Sequence, residues 1–261
     1  MYYYIYDSFL NDKKYISELH RIEARLMDLG INGRIEKLTL LKSLREIVEE
    51  AVKKGASTIV AVGNDETVSK IISFLPNLSV TLGIIPIGEN NSIANILGLP
   101  QGAAACDTLS ARITEKIDLG KANDSYFIAS LEIPAQREVV IDCGNYFVSP
   151  LSNSGLINIC NIDNLAKNPQ NEGQPRRSNP KDGILEAVIR ESSSGHDGLM
   201  SLFKKKQFTK DSVFPFKKIK IKCSKECLAV VADGQTTIKT PVTVEVAPKK
   251  LRVIVGKNRM F

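Results

Sequence analysis

Hydrophobic and polar positions follow two different patterns along the chain, and the change falls near Pro100. Before it, short continuous apolar runs such as Thr58–Val62 and Val80–Ile85 are each followed by a polar turn and then by apolar residues at helical spacing. Continuous apolar runs are typical of strands buried on both faces, and strands that alternate with helices indicate a parallel sheet. We therefore predict an N-terminal, Rossmann-like parallel α/β domain over residues 1–118.

The elements around the two apolar runs are predicted from the same pattern. The N-terminal run reads as a first strand and not as a signal peptide, because it lacks a basic leader and a small-residue cleavage site. The further predicted elements of this domain are a strand at Tyr2–Tyr6, helices at Lys13–Leu29, Leu40–Lys54, Val68–Leu75 and Ser92–Leu97, and a short strand at Arg34–Leu38.

The second pattern, over residues 119–261, consists of closely spaced strand-like runs, which indicate an antiparallel β-sandwich domain. The last strand or the tail is expected to return to the first domain. The predicted strands are Tyr126–Ile133, Glu138–Cys143, Leu156–Ile162, Ile184–Arg190, Ile219–Cys223, Leu228–Val231, Val242–Val246 and Leu251–Val255. One helix is predicted at Gly198–Phe208, and Asn164–Asn179 reads as a loop.

Two polar turns, Gly63–Thr67 and Pro86–Asn91, follow the two apolar runs and precede helices. Strand, turn and helix in this order place backbone N–H groups and the positive end of the helix dipole at the carboxyl edge of a parallel sheet. For either turn alone, a plain βαβ connection without a ligand is the favoured interpretation. Two in tandem favour a phosphate-binding site.

The amino-acid composition argues against several kinds of functional site. The chain of 261 residues is 43% hydrophobic and 25% charged, as in ordinary globular proteins. Five cysteines without a Cys-x-x-Cys pair and only two histidines argue against a disulfide framework, a zinc site and a histidine-based triad. The cysteine usage predicts a reducing compartment, the cytoplasm.

The net charge of +6 favours anionic partners, and nine lysines against one acid lie between Lys204 and Lys225. In the segment 216–223, lysines alternate with apolar residues, so a strand would present them on one face. Such a face either protects a solvated sheet edge or docks on anionic lipid headgroups at the membrane. Nucleic acid is the less favoured partner, because aromatic residues do not alternate along this strand.

Several motifs resemble, in order, those of the diacylglycerol kinase catalytic-domain family, the bacterial lipid kinases related to sphingosine kinases and, more distantly, to NAD kinases. The turn Gly63–Thr67 is similar to the family's Gly-Gly-Asp-Gly-Thr, and Pro86–Pro100 to its Pro-x-Gly-Thr-x-Asn-Asp motif followed by Leu-Gly-Leu-Pro. Asn179–Leu185 resembles its Asp-Gly-x-Leu segment, and Asp233–Gln235 its Asp-Gly-Glu motif.

The resemblance implies a lipid kinase that uses ATP and Mg²⁺ to phosphorylate a lipid alcohol such as diacylglycerol. It implies Asp233 as the general base, Asp65 as the residue that organises the Mg²⁺–phosphate group, and Asp182 as a metal ligand. The nucleotide-binding positions that it implies are Thr39, Gly63, Asn64, Asp65, Glu66, Thr67, Gly88, Glu89 and Asn91. A cytoplasmic protein with peripheral membrane contact follows, and a homodimer is left open.

Three departures from the family pattern fall on the chemistry. Glu66 and Glu89 place carboxylates beside the expected phosphates, where they repel unless Mg²⁺ or a lysine intervenes. Gln235 replaces the acid of Asp-Gly-Glu, and an amide cannot act as a base. The chain is therefore read either as a divergent lipid kinase or as a kinase-like protein that binds a ligand without catalysis. NAD kinase is a third, less favoured reading.

Overall fold

The chain divides into two compact units, Met1–Asp118 with Lys249–Phe261 and Leu119–Pro248. The computed structural model describes residues 1–39, 42–151, 153, 155–162, 178–192, 208–225 and 227–261, with the backbone alone at 191–192 and 208–211. The predicted loop at Asn164–Asn179 and the predicted helix at Gly198–Phe208 lie, apart from their C-terminal ends, outside the described residues. The lysine run at 204–206 lies outside them as well.

The first unit is a parallel α/β domain, as predicted. Its strands are β1 (Tyr2–Tyr6), β2 (Arg34–Lys37), β3 (Thr58–Gly63), β4 (Thr81–Pro86) and parts of β5 (Thr114–Ala122) and β16 (Val242–Ile254). Its helices are α1 (Ile16–Asp28), α2 (Leu44–Lys53), α3 (Asp65–Ile72), α4 (Ser92–Ile96) and α5 (Ala105–Ala111). The strands pair in parallel in the order β2-β1-β3-β4-β16.

The apolar runs form the centre of this sheet because their side chains are buried on both faces. Every residue of β3 and of β4 is buried. Helix α1 packs Leu19, Ile22 and Leu26 into the core, whereas Met27, the neighbour of Leu26 in the sequence, is 65% exposed. None of the described helices combines the length and the apolar content needed to cross a bilayer.

The second unit is an antiparallel β-sandwich, which confirms the predicted fold class. Its further strands are β6 (Ser125–Phe127), β7 (Ser130–Pro134), β8 (Val139–Asp142), β9 (Phe147–Val148), β10 (Gly155–Cys160), β11 (Leu185–Ser192), β12 (Phe208–Phe216), β13 (Lys218–Cys223), β14 (Ala229–Ala232) and β15 (Thr236–Lys239). One sheet has the order β12-β11-β10-β7-β14-β15, and the other joins β16, β13, β8 and β9. Ile133 and Ile157 of the first sheet share one buried core with Ile141 and Ile221 of the second.

Two predictions about the chain trace are corrected. The separate strands predicted at Val242–Val246 and Leu251–Val255 are one strand, β16, because the intervening Pro248 and Lys249 continue it. Lys249 takes a left-handed backbone conformation within that strand, with φ of 51°. Helix α5, of seven residues, was not predicted.

Candidate active site

Four neighbouring strands end at the same edge of the parallel sheet, and most of the predicted nucleotide-binding residues follow them. Thr39 lies two residues beyond β2, Asp7 follows β1, Gly63–Thr67 lies at the end of β3, and Gly88–Asn91 follows β4. The order β2-β1-β3-β4 makes these ends adjacent. The structure therefore brings the predicted positions of the first unit together at one edge.

The first turn is closed by its own side chains. The Asn64 side chain accepts from the Thr67 N–H, and the Thr67 hydroxyl accepts from the Asn64 N–H, which forms a capping box for α3. The fully buried Thr67 hydroxyl also donates to Asp7 Oδ2 at 2.8 Å. A Cβ on Gly63 would lie 2.2 Å from Thr67 Oγ1, so only glycine fits beside this hydroxyl.

Asp65 connects the first turn to the second. Its carboxylate accepts the backbone N–H groups of Ser92 at 2.7 Å and Ile93 at 3.0 Å. Its own N–H donates to the Asn90 carbonyl at 2.9 Å. Because Ser92 and Ile93 begin α4, Asp65 acts as a cap for that helix and satisfies donors that would otherwise have no partner.

The second turn, in contrast to the first, leaves its backbone N–H groups unpaired in the part of the chain that the structure describes. Within the described residues, the four consecutive N–H groups of Gly88–Asn91 donate no hydrogen bond. Gly88 and Asn90 both have positive φ, 81° and 60°. The Gly88 carbonyl accepts the side-chain amides of Asn91 at 2.8 Å and Gln101 at 2.7 Å, which hold the turn in place. Consecutive unpaired N–H groups in such a turn form the kind of concavity that binds an anion.

Both acids that depart from the family pattern have a lysine nearby. Glu66 pairs with Lys70, one turn further along α3, at 2.7 Å. Glu89 is exposed, and its charge acts on Lys14. The Tyr15 hydroxyl, and less strongly the charges of Asp12 and Glu89, raise the pKa of Lys14 above its ordinary value. Lys70 therefore offsets the charge of Glu66, whereas Lys14 has its ion pair with Asp12, at 3.8 Å, and none with Glu89 within the described residues.

In the second unit, the side chain of Asp233 binds backbone N–H groups of the segment that leads into β7. Its carboxylate accepts the N–H groups of Ile128 at 2.9 Å, Ala129 at 2.8 Å and Ser130 at 3.0 Å. Asp233 has a left-handed conformation, with φ of 49°, and Gln235 follows at an exposed position. These bonds fix the entry to β7. The assignment of Asp233 as a general base stays a prediction.

Asp182, the predicted metal ligand, is exposed at a turn of the second unit. Its carboxylate accepts the Ile184 N–H at 3.0 Å, and the Asn179 side chain accepts the Lys181 N–H at 3.2 Å. Within the described residues, no three carboxylate, thiol or imidazole side chains gather as a metal site. Asp182 is one carboxylate at this turn, and its assignment as a metal ligand stays a prediction.

Three contributors to the edge were not singled out from the sequence. Asp7 receives the Thr67 hydroxyl, Gln101 holds Gly88, and Lys14 lies within the electrostatic reach of Glu89. Asp7 carried a signal, because it directly follows the first strand of a parallel sheet. Gln101 and Lys14 carried none, since their roles depend on contacts between distant segments.

The basic strand, β13, has the predicted alternation. Lys218, Lys220 and Lys222 are exposed, whereas Ile219 and Ile221 are buried. Strand β13 lies between β16 and β8, so the explanation that its lysines protect a sheet edge is wrong. Lys218 pairs with Glu245 at 3.1 Å and Lys222 with Asp142 at 3.5 Å, while Lys220 has no ion pair within the described residues.

Comparison with known proteins tests the resemblance that the motifs predicted. Residues 2–122 match the family model of the diacylglycerol kinase catalytic domain. This segment includes both turns and every predicted position at the edge of the parallel sheet. The resemblance that the motifs predicted is thereby confirmed for these residues.

Bacterial diacylglycerol kinases match part of the chain. The chain is 29% identical over 114 residues to a diacylglycerol kinase of Bacillus subtilis, a match over 42% of this chain and 38% of the relative. It is 38% identical over 82 residues to a diacylglycerol kinase of Mycobacterium tuberculosis, over 31% and 26% of the two chains. These matches span less than half of the length of the curated relatives.

The solved structures extend the similarity in fold to both units. A diacylglycerol kinase from Bacillus anthracis superposes with a TM-score of 0.76 at 20% identity, over 98% of this chain and 97% of that one. At this level of identity the superposition shows a shared two-domain fold, with a diacylglycerol kinase-like α/β domain followed by a β-rich domain.

Proposed function

We propose that this protein is an ATP-dependent kinase that phosphorylates the hydroxyl group of a lipid such as diacylglycerol. The observation that carries the proposal is the row of unpaired N–H groups at Gly88–Asn91, within the segment that matches the kinase family. These donors suit the phosphate oxygens of a nucleotide, because each can hydrogen-bond to an anion without breaking a bond in the protein.

The other residues of the edge complete the proposed nucleotide site. Thr39 is exposed beside this edge and can offer a hydroxyl to the nucleotide. Gly63, Asn64 and Thr67 shape the first turn, and Asp65 fixes the position of α4 and its N-terminus relative to that turn. Phosphoryl transfer depends mainly on positioning and on charge stabilisation, so a rigid scaffold of this kind contributes to catalysis without touching the reacting atoms.

Mg²⁺ is the divalent ion that the family implies. It commonly binds through one or two carboxylates, waters and substrate phosphates, so a protein site with few acids is compatible with it. Asp182 would hold such an ion at its turn, where Mg²⁺ would order the loop before β11. If so, Mg²⁺ raises the melting temperature of the wild-type protein and has no effect on Asp182→Asn. An equal rise in both proteins would exclude Asp182 as the ligand.

Asp233 is proposed to accept the proton of the lipid hydroxyl in place of the missing acid at Gln235. Its three N–H partners hold the carboxylate in one orientation. Lys220 of β13, which has no ion pair within the described residues, would attract the protein to anionic lipid and contribute about 1 kcal/mol near such a surface. Lys218 and Lys222 would contribute less, because each already pairs with an acid.

The direct test follows the transfer of labelled γ-phosphate from ATP to diacylglycerol in mixed micelles, with Mg²⁺ present. Wild-type protein is expected to form a phosphorylated lipid, and Asp233→Asn to lose most of the rate while it still binds ATP. Melting temperatures measured in parallel separate a catalytic loss from unfolding. No transfer to diacylglycerol or to any other lipid alcohol contradicts the proposal.

A ligand-binding protein without catalysis is the second candidate. It is favoured by Gln235 at the family's acid position and by the use of Asp65 as a helix cap. ATP binding without transfer to any lipid supports this candidate. Transfer to NAD, measured in the same assay, would instead support the NAD kinase reading.

A further inference from the structure

A small basic depression lies in the first unit at the edge of the sheet opposite to the two turns. It has a volume of about 170 Å³, and its lining includes Val80 and the cations Lys116, Lys249, Lys250 and Arg252. We call it the amino-edge depression, because Val80 directly precedes β4. Arg252 pairs in register with Thr81, the first residue of that strand. The length of β4, about 17 Å at roughly 3.3 Å per residue, separates it from the second turn.

The charge of the depression is not compensated. Lys116, Lys249, Lys250 and Arg252 have no side-chain ion pair within the described residues. The two acids on the same stretch of β5 have partners of their own. Glu115 pairs with Arg259 at 2.9 Å, and the buried Asp118 accepts the Lys249 N–H at 2.7 Å.

The backbone at Lys249 contributes to this concentration of charge. Along a regular strand, consecutive side chains point to opposite faces. Lys249 instead adopts φ of 51°, a left-handed conformation that is unfavourable for a residue with a Cβ. It and its neighbour Lys250 both line the depression. The strained conformation thus accompanies two adjacent cations that would repel each other without an anion.

We propose that the amino-edge depression is a binding site for a phosphate monoester group, separate from the proposed nucleotide site. Its volume is smaller than the 300–1,000 Å³ or so of typical small-molecule pockets, which suits a single headgroup-sized anion and excludes a whole nucleotide. Arg252 can bind phosphate oxygens in a bidentate manner, and the lysines add point charges. The apolar floor formed by Leu75, Val80 and Leu251 is buried, so the open surface is mainly cationic.

The phosphate group has two sources, a soluble phosphate monoester or the headgroup of phosphatidic acid in a membrane. The proposal does not depend on kinase activity, since none of the residues of the depression lies at the carboxyl edge. The site would make the first unit responsive to phosphate or to a phosphorylated lipid at a distance from the second turn.

The test follows the backbone amide signals of residues 249–252 by NMR while inorganic phosphate is added to the full chain. We expect saturable shifts at these residues, and a loss of affinity of about tenfold or more in K250E/R252E, in which two attractive charges become repulsive. The control is K53E/K239E, which changes the net charge equally at exposed lysines elsewhere and is expected to bind phosphate like the wild type. Circular dichroism verifies that K250E/R252E folds. If it does not, the second variant carries Lys249→Gly and Lys116→Ala, because glycine tolerates the positive φ of position 249.

Two further arms identify the source of the anion. Sedimentation with phosphatidylcholine vesicles is measured with and without phosphatidic acid. If only K250E/R252E loses binding to the vesicles with phosphatidic acid, the lipid headgroup is the source. If K250E/R252E and K53E/K239E sediment equally, the source is soluble phosphate. ATP affinity is expected to be unchanged in K250E/R252E. A wild-type protein that fails to bind ATP would contradict the proposed function but would not affect the inference about the amino-edge depression. Absence of shifts at residues 249–252, or equal phosphate affinity in both doubles, overturns the inference.

Discussion

The turn after β3 and the turn after β4 have the same order of elements but opposite patterns of hydrogen bonding. In the first, Asn64, Asp65 and Thr67 are occupied by bonds within the protein. In the second, the N–H groups of Gly88–Asn91 have no partner within the described residues. The comparison indicates that the first turn acts as a scaffold for the second, and that the second is the surface offered to an anion.

The largest effect is expected where the scaffold is most tightly packed. Gly63→Ala would place a Cβ 2.2 Å from Thr67 Oγ1 and displace the hydroxyl from Asp7. We expect a loss of about 3 kcal/mol in the free energy of unfolding, measured by urea denaturation. Gly30→Ala is the control, because it has φ of 64° but no atom within 4 Å of the new Cβ. Equal losses in the two variants would mean that conformation, and not contact with Thr67, decides the cost.

The next effect concerns the link between the turns. Asp65→Ala removes the acceptor of the Ser92 and Ile93 N–H groups, at a cost of about 1–2 kcal/mol, as for the loss of a helix cap. ATP affinity is expected to fall as well, because α4 and the second turn lose their anchor. Asp65→Asn keeps one acceptor oxygen, so its stability and its ATP affinity are expected to lie between those of the wild type and of Asp65→Ala. A variant that loses ATP binding with unchanged stability would instead assign Asp65 to direct contact with the ligand.

The smallest effect tests the acids. Glu66→Gln removes a charge that Lys70 already offsets at 2.7 Å, so ATP affinity is expected to rise by no more than about threefold, or about 0.7 kcal/mol. Calorimetry with and without Mg²⁺ measures the change. A fall in affinity that occurs only with Mg²⁺ would show that Glu66 holds a metal ion, as the divergent-kinase reading allows.

The sheet was predictable from the sequence because its strongest signal is local. The apolar runs of β3 and β4, the turns after them and the alternating lysines of β13 each depend on neighbouring residues only. The same holds for the antiparallel character of the second unit. The exposed Met27 shows the limit of such patterns, since a helical period allows several residues on the border of the buried face.

The different hydrogen-bonding roles of the two turns were not predictable from the sequence. Asp65 contacts residues 27 and 28 positions away, and Thr67 contacts Asp7 across 60 positions. A motif comparison assigns similar roles to all positions of both turns, because it does not register which donors and acceptors the fold already uses. The left-handed Lys249 within β16 was hidden for the same reason, since a Pro-Lys-Lys segment reads as a break in a strand.

The most direct measurement of the central claim is ATP binding by calorimetry to two variants at one position of the second turn. Glu89→Pro removes a backbone N–H from the row, whereas Glu89→Ala keeps that N–H and removes only the charge. The account predicts that Glu89→Pro weakens ATP binding by about tenfold or more, through the loss of a charge-assisted hydrogen bond, with an unchanged melting temperature. Glu89→Ala should bind as well as the wild type or better. Equal ATP affinity in all three proteins would contradict the account and remove the second turn as the phosphate site.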